Sequence, residues 1–164
     1  MKKTVVAAAV VVALGAVGGA AFAQQKPEQL IKQRQSAMTL IGKYFGPLGG
    51  MAQGKVPYDA KLVQRNADYL HALAQMPWDG FDPSTKDVKE PKNRALPAIW
   101  EQPGKVKEAA ERLQSEVSKL QQVSKGGDEG AIKAQIGAVG KACANCHEVY
   151  RDKGPAGSPA RCTP

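Results

Sequence analysis

Two cysteines and a histidine lie within five consecutive residues near the end of the chain. Cys143, Cys146 and His147 belong to the run "KACANCHEVYR", residues 141–151, although the whole chain has only three cysteines and two histidines. In a helix, side chains three and four residues apart share one face, with about 5 to 6 Å between their Cβ atoms. If this run is helical, all three side chains therefore point toward one ligand.

The C-x-x-C-H spacing is the attachment signature of c-type haem. Each thiol can add across a vinyl group of the haem to form a thioether, and the adjacent imidazole can bind the iron as its proximal ligand. The run predicts one covalently attached haem c, held by Cys143 and Cys146, with His147 as the axial ligand of the iron. Attachment consumes both thiols and leaves Cys162 as the third cysteine.

Other uses of this cluster fit less well. A structural zinc site requires four ligands, and only His71 and Cys162 remain to complete it. A thioredoxin-like pair is expected at the start of a helix in an α/β chain, and two cysteines three residues apart in a helix have poor geometry for a disulfide. A haem-free metal-binding or interaction bundle remains an alternative of another class, and it predicts a colourless protein.

The N-terminus has the features of a secretory signal peptide. Lys2 and Lys3 precede an apolar run, residues 5–13, and the small-residue sequence Ala21-Phe22-Ala23 follows. The apolar run is shorter than the roughly 20 residues that a membrane span needs. We expect cleavage after Ala23 and export to the periplasm. The mature chain, residues 24–164, is then a single domain without a membrane span, with a flexible tail from about residue 154.

Charge and motif content exclude several functions. The chain carries 23 basic and 15 acidic residues, a formal net charge of +8. The basic residues are scattered among acidic ones and form no stripe with interleaved aromatic residues, so nucleic-acid binding is not expected. His71 and His147 cannot complete a Ser/His/Asp set, and no glycine-rich phosphate loop is present. The sequence therefore does not indicate an enzyme.

Four segments have apolar residues at helical spacing. They are residues 24–50, 59–77, 99–126 and 128–153. A loop around Gly49 and Gly50 is expected to end the first segment. Asp59 and Asp128 are expected to cap the second and fourth, and Pro77 ends the second before one long connection, residues 78–97. The pattern predicts an all-α fold, an antiparallel up-down four-helix bundle.

The order of these features resembles the class II c-type cytochromes, and particularly the cytochrome c′ family, whose members are four-helix bundles. The likeness covers most of the mature chain and rests on the stretches "LIKQRQSAMTLIGKYFG", "PYDAKL", "MPWDGF", "PAIW" and "CANCHEVYR". It implies a periplasmic haemoprotein with one haem c, which exchanges electrons with redox partner proteins or binds small gases such as nitric oxide (NO) and carbon monoxide (CO). It also implies a homodimer formed through the first two helices.

The resemblance assigns further roles to residues at matching positions. Arg151, one helical turn after His147, matches a basic residue that flanks the proximal face of the haem. Arg34 and Gln35 match a pair that lies against the haem edge, where the Arg34 guanidinium can hold a propionate. The alternative for Arg34 and Arg151 is that both are ordinary solvated charges.

By the same resemblance, Met38 occupies the distal position, on the open side of the iron. An apolar side chain there can shield a five-coordinate iron that accepts NO or CO, which is the interpretation we favour. A methionine can also bind as the sixth ligand and give a low-spin electron carrier. Met51 and Met76 lie at loop edges and are weaker ligand candidates, and His71 is interpreted as a surface or hydrogen-bonded histidine.

Two segments depart from the family pattern. The linker "STKDVKEPKNRALP" is longer and more basic than usual, so no haem contact from it can be assigned. The tail "GPAGSPARCTP" extends past the usual end of the family. Cys162 in that tail is either free or joins two chains.

Overall fold

The structure is a computed structural model that describes residues 25–154. The predicted signal peptide and Cys162 lie outside the described residues, so both remain predictions. The described chain forms five helices. They are α1 Pro27–Ala52, α2 Ala60–Leu73, α3 Ala98–Glu101, α4 Pro103–Val123 and α5 Glu129–Tyr150.

The four long helices pack in a ring, in which α1 and α4 each contact both α2 and α5. Neighbouring helices run in opposite directions. Gln135 in the first half of α5 bonds the carbonyl of Glu116 in the second half of α4 at 2.9 Å. Gln121 near the end of α4 bonds Asp68 on α2 at 2.8 Å. The predicted all-α antiparallel bundle is confirmed. Within residues 25–154, no helix combines the length and apolar character that a membrane crossing requires.

Side-chain caps start two of the long helices where the sequence predicts them. The carboxylate of Asp59 accepts from the backbone N–H of Leu62 at 3.0 Å. The carboxylate of Asp128 accepts from the N–H of Ala131 at 3.1 Å. Each bond satisfies one backbone donor that the first helical turn leaves without a partner.

The predicted loop at Gly49 and Gly50 is wrong, because α1 continues through both glycines to Ala52. Leu48 is fully buried and Met51 is 5% exposed, so the packing of this last turn against the core outweighs the weak helix propensity of glycine.

The third helical segment is interrupted, contrary to prediction. Gln102 leaves the helical region with φ −127° and ψ 53°, and Pro103 begins α4. Proline lacks the N–H that would continue α3, and it disfavours the helical conformation of the residue before it.

The apolar side chains form two clusters. The main core cluster lies between the four long helices and includes Ile41, Phe45, Leu48, Val63, Leu70, Leu113, Val117, Leu120, Ile132 and Ile136. A smaller cluster joins Ile99 of α3, Val106 of α4 and Tyr150 of α5, with Phe81 and Cys146 packed against it. The bundle therefore has a continuous core and a separate apolar patch where α5 ends.

The long connection between α2 and α3 is fastened to the end of α5. The N–H of Leu96 donates to the carbonyl of Tyr150 at 2.9 Å, and the N–H of Asp152 donates to the carbonyl of Arg94 at 2.8 Å. Ala95 and Arg151 form a short antiparallel bridge between these bonds. Earlier in the connection, residues 78–81 and 83–85 form two 3₁₀ turns. The connection thus closes the bundle beside the last turn of α5.

Candidate functional site

A cavity of about 430 Å³ lies at the end of the bundle where α1 begins and α5 ends. The predicted site residues that line it are Arg34, Gln35, Met38, Cys146, His147 and Arg151. Residues near the start of α1 and at the end of α5, more than 100 positions apart in the sequence, therefore line one cavity.

The two cysteines have different surroundings. Cys143 is 6% exposed and packs in the main core cluster. Cys146 is half-buried, lines the cavity and packs against the smaller cluster. Burial raises the pKa of the Cys146 thiol, so the thiol is neutral at neutral pH. The two thiols lie one helical turn apart on α5. This spacing fits two attachment points on one edge of a flat ligand.

The imidazole of His147 is neutral at neutral pH. Its pKa is lowered from the ordinary 6.5 to about 4, mainly because burial disfavours the charged form and also because the positive charges of Arg151 and Arg94 repel it. Metal ions bind the neutral form of histidine, which retains a lone pair on nitrogen. Within residues 25–154, no three His, Cys, Asp or Glu side chains lie together as a metal site. The neutral imidazole of His147 is itself suited to bind a metal.

Arg34 is not a solvated charge, and that alternative is wrong for this residue. Its side chain is 5% exposed, and burial lowers its pKa to about 10, so the guanidinium stays charged at neutral pH. The guanidinium donates to the carbonyl of Gly80 and to the Asn93 side chain, the latter at 2.7 Å. It also lies 4.5 Å above the centre of the Phe81 ring. These bonds use some of its five N–H donors.

Gln35 lines the cavity and also contacts the connection between α2 and α3. Its amide donates to the backbone carbonyl of Lys92 at 2.8 Å. Arg94 and Ala95 from the same connection line the cavity. The linker to which the sequence could assign no role therefore supplies part of the cavity wall.

The charged side chains in the cavity wall are all basic. They are Arg34, Arg94 and Arg151, and no Asp or Glu is among the described residues that line the cavity. The guanidinium of Arg94 also donates to the carbonyl of Asp152, which holds it at the cavity edge. A cluster of arginines without carboxylates is suited to bind carboxylate groups of a ligand through paired, charge-assisted bonds.

The three described methionines differ in their position relative to the cavity. Met38 is half-buried, lines the cavity and packs against the main core cluster. Met51 is buried in the core at the other end of α1, and Met76 is 57% exposed. Neither of these two lines the cavity, so Met38 is the one described methionine in its wall.

The interpretation of His71 needs correction. The ring is half-buried, and its Nδ1 atom is buried without a hydrogen-bond partner among the described residues. His71 does not line the cavity.

Sequence reasoning missed the apolar part of the cavity wall. Trp78 and Phe81 from the first 3₁₀ turn, Ile99 of α3 and Tyr150 of α5 all line it. The available signal was two aromatic residues inside a long polar connection, in the stretch "MPWDGF". Together with the arginines, the thiols and the imidazole, this wall fits a flat apolar ligand that carries carboxylates and a metal, as haem does.

Comparison with known proteins gives concordant matches. A family model described as Cytochrome C' matches residues 29–151. The cytochrome c' of Rubrivivax gelatinosus is 40% identical over 129 residues, which cover 79% of this chain and 98% of the relative. Its crystal structure aligns with a TM-score of 0.73 over 78% of this chain and 98% of its own. A ferrous cytochrome c prime variant from Alcaligenes xylosoxidans with bound NO aligns at 34% identity with a TM-score of 0.71, over 79% of this chain and 98% of its own.

Proposed function

Because the chain belongs to the cytochrome c′ family and is therefore a c-type haem protein with one covalently bound haem, we propose that Cys143 and Cys146 carry that haem and that His147 binds its iron. The single observation that supports this proposal most strongly is the cavity itself. It combines a neutral imidazole, a half-buried thiol and three arginines with an apolar wall. When bound, the haem supplies an iron that can change oxidation state and accept a further ligand.

The residues of the chain hold and orient that group. His147 presents an unprotonated nitrogen, because burial and the adjacent Arg151 keep the imidazole neutral. Arg94 and Arg34 can each direct N–H donors toward propionates at the cavity edge. Trp78 and Phe81 give one wall an apolar surface, beside which charges are more weakly screened than in water.

We further propose a five-coordinate iron that binds small neutral gases, with Met38 shielding the open face. Met38 packs against the main core cluster, a contact that already occupies one side of its side chain. At the apolar side chain of Met38, a charged ligand would lose hydration without gaining hydrogen bonds, whereas NO and CO lose little. The relative from Alcaligenes xylosoxidans with bound NO supports this choice.

A second candidate follows from the position of Met38 in the cavity wall. If its sulfur binds the iron, the protein is a low-spin electron carrier with a raised reduction potential. Visible spectra of the oxidised and reduced protein, with and without CO, distinguish the two. We expect a high-spin spectrum that changes on adding CO.

A low-spin spectrum that is lost in Met38→Leu contradicts the five-coordinate proposal. Met51→Leu is the matched control, because Met51 lies on the same helix but not in the cavity wall.

The protein is also proposed to be a periplasmic homodimer that exchanges electrons with redox partner proteins. Leu40 on α1 and Tyr69 on α2 are 40% and 45% exposed, and Tyr44 packs against Tyr69 with ring centres 4.9 Å apart. Exposed apolar side chains on these two helices support pairing through them. Light scattering tests it: Leu40→Glu should halve the measured mass, and a wild-type monomer at micromolar concentration contradicts the proposal.

A further inference from the structure

The first 3₁₀ turn of the connection, Trp78–Phe81, lies directly on α1, and Gly80 makes the contact. A Cβ atom added to Gly80 would lie 2.4 Å from the Cβ of Arg34 and 2.8 Å from the carbonyl oxygen of Leu30. Neither atom can move far, because the Cβ of Arg34 is attached to the α1 backbone and carries a buried side chain, and the carbonyl oxygen of Leu30 is part of that backbone. A residue with a side chain at position 80 therefore forces the turn away from α1.

Arg34 fastens the same contact from the α1 side. Its guanidinium donates to the carbonyl of Gly80 and lies 4.5 Å from the centre of the Phe81 ring. The Nη2 atom of Arg34 donates to the side-chain oxygen of Asn93 at 2.7 Å. The same oxygen accepts from the N–H of Ala95 at 2.9 Å. One buried cation thus holds the turn at one point and the later part of the connection at another.

The turn carries the aromatic part of the cavity wall. The Trp78 indole donates to the carbonyl of Ala74 at 2.7 Å, and the Trp78 and Phe81 ring centres are 6.2 Å apart with an interplanar angle of 30°. Arg34 precedes Met38 by one turn of α1, so a turn fixed to Arg34 lies alongside the helix face that carries Met38. The seating of Gly80 on α1 therefore determines how far the aromatic wall stands from Met38.

We propose that Gly80 is a positioning residue for the ligand site of the haem: its contact with α1, fastened by Arg34, sets the width of the cavity between the aromatic wall and Met38 and restricts the open iron face to ligands of diatomic size. This inference rests on the proposed five-coordinate function. Packed walls of this kind do not deform continuously, so a wall displaced by a methyl group leaves a distinctly wider cavity.

The test compares ligand sizes in the ferrous holoprotein. Association rates are measured by flash photolysis for CO and for a series of alkyl isocyanides of increasing length. In Gly80→Ala we expect the rate for the larger isocyanides to rise about tenfold relative to the rate for CO, the change that a barrier lowered by about 1.4 kcal/mol produces. Gly104→Ala is the matched control, because a Cβ at Gly104 meets nothing within 4 Å, and its rates should equal those of the wild type.

If Gly80→Ala does not acquire covalent haem, a second variant tests the inference. Arg34→Lys keeps the positive charge but loses the planar fork that reaches Gly80 and Asn93 together. We expect the same change of size preference, about threefold, as weaker fastening lets the turn move. Unchanged size preference in a coloured, CO-binding variant overturns this inference alone. A wild-type protein that lacks covalent haem, or whose iron does not bind CO, overturns the proposed function instead.

Discussion

The two ends of the bundle are built differently. The closed end, where α1 ends and α5 begins, is filled by side chains such as Phe45, Leu48 and Leu120, and its buried Asn66 amide bonds the carbonyl of Tyr44 at 2.9 Å. The open end, where α1 begins and α5 ends, encloses the cavity, and the connection between α2 and α3 completes its wall. The closed end is stabilised by its own packing, whereas in the proposed assignment the open end is completed by the haem.

Removing the haem attachment tests this contrast with the largest expected effect. The double substitution Cys143→Ser and Cys146→Ser should abolish covalent pigment completely, because no thioether can form. Hydrogen exchange should then show lost protection at the open end and retained protection in the segments that contain Leu48 and Leu120. Cys162→Ser is the control and should keep its pigment. Equal loss of protection at both ends contradicts the contrast.

A cavity at the closed end should affect stability alone. Leu120 is fully buried in the main core cluster, so Leu120→Ala should lower the free energy of unfolding by about 3 kcal/mol. The visible spectrum and the CO association rate should stay as in the wild type. Denaturant unfolding followed by circular dichroism measures the first quantity. A changed haem spectrum here would mean that the two ends are not separate.

The matched substitution at the open end should change the haem site and cost less stability. Ile99 is 5% exposed, belongs to the smaller cluster and lines the cavity. Because the cluster that holds Ile99 is smaller than the main core cluster around Leu120, Ile99→Ala should lower the free energy of unfolding by only about 2 kcal/mol. It should nevertheless alter the haem spectrum and the gas-binding rates. A larger stability loss than that of Leu120→Ala, with an unchanged spectrum, contradicts this assignment.

The smallest expected effect concerns a buried carboxylate of the closed half. The Gln135 amide donates to both the carboxylate and the backbone carbonyl of Glu116, at 2.8 Å and 2.9 Å, and this bond to the carboxylate is the main reason that the pKa of Glu116 is lowered. Gln135→Ala should reduce the free energy of unfolding by about 1 kcal/mol at pH 7.

The pH dependence has a definite sign. Because the folded-state pKa of Glu116 lies below its ordinary value of 4.5, the carboxylate stabilises the fold above that pH, and this contribution is lost as the pH falls through the lowered pKa. Urea titrations from pH 7 to pH 3 should show the difference between wild type and Gln135→Ala shrink in that range. Gln121→Ala, which removes an exposed bond to Asp68, is the control. A difference that stays constant with pH contradicts the role of the carboxylate.

The sequence predicted correctly the features that depend on residues close together in the chain. The caps Asp59 and Asp128 and the shared face of Cys143 and His147 follow from spacing alone. The end of α1 does not, since it is held by burial of side chains against other helices.

The partners of Arg34 could not be read from the sequence for the same physical reason. Gly80 and Asn93 lie 46 and 59 residues away along the chain. Only the folding of the connection onto α1 brings them to the guanidinium, and the linker's length and charge gave no indication of that contact.

The covalent attachment is tested most directly on one peptide. The protein is exported from a host that matures c-type cytochromes and is then digested with trypsin, which releases residues 142–151 between Lys141 and Arg151. The account predicts that mass spectrometry finds this peptide with one haem bound and with neither cysteine open to alkylation. A peptide of unmodified mass, alkylated at both Cys143 and Cys146, would contradict it.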